Sequence, residues 1–203
     1  MMAVRRGLLT IKDSIVPAAY QQVEYLQTDG GQYITGISAT FGGSAIEFYI
    51  KYRLFEIKNY GPHIVSAGTT FRLINRVQAS SKSFFTINNT EYGYGVKAPI
   101  DEDIVAYISG GKATIDSLGD PISISESISG VVTFSIMCYS SSPTDASYRS
   151  AMRFYSVSMC NSNGFGFNLI PCVRKLDSKP GMYDTVSKTF YTNSGTGEFI
   201  VPT

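Results

Sequence analysis

The chain has 203 residues, 17 Lys and Arg against 16 Asp and Glu, and a formal net charge of +1 at pH 7, with the basic residues scattered. A phosphate-tracking surface is not indicated, and nucleic acid is not an expected partner. Apolar residues make up 43% and charged residues 16%, with 14 Tyr, 12 Phe, 19 Gly and no Trp; this balance disfavours solvated helices and suits strands joined by glycine turns.

The length fits one domain of the all-β sandwich class. Residues 1–17, MMAVRRGLLTIKDSIVP, mix basic and apolar residues without a period and end at Pro17. They read as an N-terminal arm, either one that orders against a partner or a frayed terminus. Lys12 and Asp13 interrupt the apolar run before it reaches signal-peptide length, so the chain is expected to be made and retained inside the producing cell until something releases it. No window approaches the roughly 18 uninterrupted apolar residues of a membrane span, and none is expected.

The domain is expected over 18–203. Residues 23–27 and 32–35 read as two short strands around a turn at 28–31, a hairpin. In 46–54, Ile46, Phe48, Ile50, Tyr52 and Leu54 alternate with Glu47, Tyr49, Lys51 and Arg53, which predicts a strand with one face in the core and one in water. Strands follow at 63–67, 71–75, 84–87, 104–109 and 113–116, punctuated by Asn88-Asn89 and by Gly110-Gly111, a two-residue hairpin turn. A long strand at 131–139 carries Val132, Phe134, Ile136 and Cys138 on one side. Residues 140–150 form the longest polar loop, a candidate rim segment. A strand at 152–159, a turn at 161–164 and a run of short strands and tight turns over 165–203 close the domain. No helix is expected. About a dozen strands without helices stack most readily as two antiparallel sheets.

The three cysteines, Cys138, Cys160 and Cys172, are odd in number and widely spaced, so they read as buried free thiols rather than a disulfide framework or a zinc site. The one histidine, His63, follows Gly61-Pro62 at a strand start and reads as structural. Asp101 and Asp103 alternate, as a glycosidase carboxylate pair must, but they sit in a polar run between Pro99 and the strand from Ile104 and read as a solvated turn. Asp116 with Asp120, and Asp177 with Asp184, lack the spacing of a calcium loop. No metal or cofactor is expected.

Sugar recognition needs an amphipathic ring to cover a pyranose and nearby amide, carboxylate or guanidinium groups. Tyr92 and Tyr94, set among Gly93 and Gly95, form the first candidate cluster. Tyr139 and Tyr148, flanking the polar loop, form the second.

Two segments resemble a known family. Ala18-Ala19-Tyr20-Gln21-Gln22-Val23-Glu24-Tyr25-Leu26 with Gly31-Gln32-Tyr33-Ile34, and Leu169-Ile170-Pro171-Cys172-Val173-Arg174-Lys175 with Gly181-Met182-Tyr183-Asp184 and Lys188-Thr189-Phe190-Tyr191-Thr192-Asn193-Ser194-Gly195-Thr196-Gly197, resemble the two ends of concanavalin A-like, laminin G-like jelly-roll proteins of phages and prophages of gut bacteria. The basic, apolar start at residues 5–9 is similar to the leaders of these proteins. The resemblance covers roughly a third of the chain and implies a two-sheet jelly-roll sandwich, an arm that docks on other virion proteins, and a place on the virion or tail. Many relatives bind sugars on the concave face or loop rim, and attachment proteins of this kind are often homo-oligomers; with no catalytic set in the chain, the leading expectation is a lectin-like, non-enzymatic role in adhesion to cell-surface glycan. The alternatives are a structural capsid or tail decoration protein that binds no sugar and, further off, a glycoside hydrolase. Two departures stand out. The acid expected just before Thr35-Gly36-Ile37 is absent, and Ser187-Lys188 replaces an Asn-Gly turn, which predicts a looser turn there.

Overall fold

The computed structural model describes residues 15–43, 46–57, 61–75, 83–116, 118–161 and 164–202. Residues 1–14, which hold most of the expected arm, lie outside the described residues. The strands in chain order begin with β1 (Tyr20–Gln22), β2 (Leu26–Thr28), β3 (Ile34–Gly42) and β4 (Ile46–Leu54). The next four are β5 (His63–Ala67), β6 (Phe71–Asn75), β7 (Ser83–Ile87) and β8 (Thr90–Gly93). They are followed by β9 (Asp103–Ser109), β10 (Lys112–Ile115), β11 (Ile122–Ser123) and β12 (Ser129–Ile136). The last are β13 (Met152–Asn161), β14 (Gly164–Arg174), β15 (Lys179–Asp184) and β16 (Phe190–Thr192).

They form two antiparallel sheets. The ten-stranded sheet runs β11, β10, β9, β4, β13, β14, β15, β16, with β1 beside β14 and β2 beside β13. The six-stranded sheet runs β3, β12, β5, β6, β7, β8. The fold is therefore all-β, with no α-helix among the described residues; the polar loop contains one short 3-10 turn at Ala146–Tyr148.

The strand expected over 46–54 is β4, and its alternation holds: Ile46, Phe48, Ile50, Tyr52 and Leu54 are all buried. Phe48 meets Phe71 and Phe85 of the opposite sheet at ring distances of 5.0 and 6.0 Å, and Phe134 meets Phe167 at 5.1 Å. Each such buried side chain contributes roughly 1.5–3 kcal/mol, which offsets the entropy of ordering the strands. Buried Tyr52 accepts a hydrogen bond from Asn75 Nδ2 at 3.1 Å, a polar tie across the layers. Gly110 and Gly111 take φ of 57° and 72°, the primed turn expected between β9 and β10, and Asn88 and Asn89 turn β7 into β8 in the same left-handed region.

The structure corrects three expectations. Residues 23–35 are not a hairpin: β2 pairs with β13 in the larger sheet, whereas β3 pairs with β12 in the smaller one. The intervening turn is closed by side chains instead of strand pairing. Thr28 Oγ1 bonds Gln32 O and Oε1 at 3.0 and 2.9 Å and accepts from Gly30 N. Second, the strand read as 131–139 ends at Ile136, because Met137 takes φ 65° and turns the chain; Cys138 is buried in the core beyond the strand end. Third, the closing region is not all short strands, since β14 runs for 11 residues.

The long β14 organises the termini. Its first half pairs with β13, but the two strands part beyond Leu169, and β1 takes the freed edge of β14 at 172–174 while β2 takes the freed edge of β13 at 152–154. On the outer face, Val16 is buried with Ile170, Cys172 and Tyr183, and Tyr20 and Phe190 pack around them. The C-terminal loop then laces onto the start of the domain: Ser194 N donates to Tyr33 O, Thr196 N to Gly31 O, and Gln27 and Ile200 exchange a pair of backbone bonds at 2.8 and 2.9 Å. The turn at Ser187-Lys188, expected to be loose, is tied down, because buried Asp184 accepts from the amides of Asn168, Val186 and Ser187 and from Ser187 Oγ at 2.6 Å.

Candidate recognition surface

Tyr92 lies on β8 opposite Phe85 and packs half-buried against the core. Tyr94, just beyond, donates its hydroxyl proton to Ala113 O at 2.8 Å and accepts from Ile115 N at 3.1 Å. That hydroxyl clasps the end of the small sheet to β10 of the large one, and burial pushes the phenol above its ordinary value. The first candidate cluster thus spends its best polar handle on backbone.

Tyr139 and Tyr148 come together, with ring centroids 5.1 Å apart, and both pack on buried His63 at 4.7 and 5.3 Å. The loop between them is stitched to β5: Ser140 Oγ accepts from Gly68 N at 2.6 Å and lies 3.1 Å from Ser66 Oγ. Asp145 caps the short helical turn by accepting from Ser147 N. Arg149 leaves the loop to donate to Gly31 O and to lie over the Tyr33 ring at 5.3 Å. Two half-exposed rings therefore stand on a braced base, with His63 as their structural floor.

A third cluster, unforeseen from the sequence, covers the outer face of the larger sheet. Strand register places Asp103 of β9, Arg53 of β4, Arg153 of β13 and Gln27 of β2 in one row. A bulge between Phe154 and Ser156 turns two successive residues outward and sets Tyr155 above that row. Asp103 binds Lys51 Nζ at 2.7 Å and Arg53 Nη2 at 2.6 Å, and it accepts from the Tyr155 hydroxyl at 2.8 Å. Arg153 donates to Gln27 Oε1 at 2.8 Å and lies over the rings of Tyr25 and Phe55 at 4.3 and 5.3 Å. Lys51 covers Tyr155 at 4.3 Å, and Tyr25 meets Tyr155 edge-on at 5.9 Å. Tyr49, 42% exposed, and Tyr107 sit opposite one another two rows along, beyond Lys51 and Val105.

The electrostatics are those of a held surface. Burial pushes the Asp103 carboxyl up, but hydrogen bonds from Lys51, Tyr155 and Arg53 together outweigh it and hold the group at about 2. A carboxyl so ionised is a poor general acid near neutrality. Asp101 precedes it in a turn with φ 62°, its amide donating to Leu54 O. Of the other acids, Asp177 forks onto Arg174 at 2.6 and 2.9 Å, Asp184 is consumed by its turn, and Asp116 and Asp120 are exposed. Ile34 occupies the position where an acid was expected and is fully buried. Cys138 and Cys172 are buried and free, and burial pushes both thiols up to about 12, so they stay protonated at neutral pH. Cys160 is half-buried and free.

Among the described residues no group of three His, Cys, Asp or Glu side chains gathers as a metal site would require. No helix among them is long and apolar enough to cross a membrane. Two grooves are small, about 90 Å³ beside Ile46, Ile108 and Ile124 and about 140 Å³ beside Pro180, Thr192 and Phe199, well below the roughly 300 Å³ at which small-molecule pockets begin. The open face of Tyr25, Tyr155 and the two arginines suits an extended polymer laid along a surface. No family model, curated protein or solved structure matches the chain.

Proposed function

We propose that this chain is a non-catalytic, lectin-like jelly-roll protein of a phage virion or tail, and that it holds cell-surface glycan on the outer face of its larger sheet. The observation that carries this reading is the shared face of Tyr25, Tyr155, Gln27, Arg53, Arg153 and Asp103. It combines half-exposed rings with amide, guanidinium and carboxylate groups, the parts that cover a pyranose and meet its hydroxyls. The two terminal segments that resemble the phage jelly-roll family also support it, because they bond to each other as one structural unit. In this reading residues 1–14 dock on other virion proteins, and the braced rings of Tyr139 and Tyr148 form a second contact at the rim.

A bacterial glycan array probed with the full chain tests recognition. The expected result is a defined set of hits, weakened at least about tenfold by Arg153→Ala and by Tyr155→Ala. Loss of binding in Tyr139→Ala alone would move the site to the loop. Silence across the array would overturn glycan binding in favour of a decoration role. Deleting residues 1–14, which spares buried Val16, is expected to abolish incorporation into particles, and unchanged incorporation would refute the docking role.

A further inference from the structure

Open sheet edges invite pairing, and proteins usually blunt them with short strands, charge or proline. Three of the four sheet ends here are blunted by length: β11 has two residues, β16 three and β8 four. The fourth, β3, has nine, reading Ile-Thr-Gly-Ile-Ser-Ala-Thr-Phe-Gly, without a charged residue or a proline.

The pairing with β12 shows which backbone groups this edge presents. Gly43 N–H donates to Ile128 O, and antiparallel alternation then directs Phe41, Ala39 and Ile37 toward Gly130, Val132 and Phe134. The amides and carbonyls of Ser38, Thr40 and Gly42 point the other way, into solvent. The side chains of Ser38 and Thr40 are exposed as well, whereas Ile37, Ala39 and Phe41 are buried. Among the described residues no backbone group bonds to this outer edge from Gly36 to Gly42. The C-terminal loop reaches no further along it than Thr35, through Ser194 Oγ.

The sequence of the edge identifies its occupant. Around Ala39 it is a pseudo-palindrome in residue type: Ser38 mirrors Thr40, Ile37 mirrors Phe41, and Gly36 mirrors Gly42. A two-fold contact requires this self-complementarity, since each residue i meets j and each j meets i. We propose that β3 pairs antiparallel with β3 of a second copy of this chain about an axis at Ala39, fusing the two six-stranded sheets into one. Ser38 of each copy then faces Thr40 of the other, a favourable hydroxyl pair, and the two pairs exchange about four backbone hydrogen bonds. The glycines at either end keep side chains out of the approach. Because the remaining edges are short, the assembly closes at two copies.

Sedimentation of the full chain across concentrations tests this. The wild type is expected to sediment as a dimer. Thr40→Pro removes only an outward amide, which an edge strand tolerates, and is expected to weaken association at least about tenfold with an unchanged circular dichroism spectrum. The double variant Ser38→Lys with Thr40→Lys keeps the backbone intact and sets like charges opposite one another; it is expected to be monomeric. Hydrogen exchange in the wild type is expected to protect the Ser38 and Thr40 amides as concentration rises. A wild type monomeric at every concentration, or a dimer that survives both variants with those amides unprotected, would overturn the proposal.

Discussion

The outer face of the larger sheet at β4 and that of the smaller sheet at β5 and β7 are treated in opposite ways. On the larger sheet the outward residues of β4 are Glu47, Tyr49, Lys51 and Arg53, all at least partly in water; Lys51 and Arg53 bind Asp103, and Lys51 covers the Tyr155 ring. On the smaller sheet β5 and β7 are buried at every position, and outward-facing Phe84 is as inaccessible as the core. Part of that cover is the 140–150 loop, fastened through Ser140 to Ser66 and Gly68. The larger sheet therefore carries a solvated row of polar and aromatic side chains at β4, and the smaller one a second packed layer over β5 and β7. An outward position is partly in water on β4 and packed on β5 and β7.

Three substitutions sharpen or break this contrast. Phe84→Ala on the small sheet should behave as a core truncation and lose about 4 kcal/mol in chemical denaturation; a loss under about 1 kcal/mol would erase the distinction between the faces. Ser140→Ala leaves the half-buried Gly68 amide without its acceptor and is expected to lose about 1.5 kcal/mol, read in the same titration. Asp103→Asn on the large sheet should lose only about 1 kcal/mol, as befits a partly exposed ion network, and its sign with pH is fixed. The folded carboxyl sits at about 2, below its ordinary 3.8, so its contribution is full above pH 4 and fades as pH falls toward 2. Thermal melts of parent and variant should therefore converge at the acid end, and a constant gap would reject the network as the cause.

The same contrast explains what the sequence disclosed. Where one face meets water, alternation is clean, and β4 could be read residue by residue. The Gly110-Gly111 and Asn88-Asn89 turns were equally legible, because their left-handed backbone narrows the choice of residue. The 28–31 turn was recognised but its partner strands were not: a turn predicts a reversal, and only the side-chain closure by Thr28 and Gln32 shows that the chain is changing sheets. The Tyr139 and Tyr148 pairing was visible because the two rings bracket one loop. The cluster around Asp103 was hidden because Gln27, Arg53, Asp103 and Arg153 come from four strands and meet only through register. Its local traces were the polar positions of β4 and Asp103, which read as part of a solvated turn.

The lacing of residues 193–200 onto 27–33 bears on how the molecule comes into being. The first strands can take their places only after β13 and β14 exist to receive them, and they are locked only once the last turn has arrived. During synthesis residues 20–33 must therefore wait, solvated, for residues 152–200 to emerge, which makes maturation of this domain a late and slow event dominated by distant partners. A ribosome-stalled chain ending before residue 193 should accordingly be open to protease at its beginning rather than at its cut end.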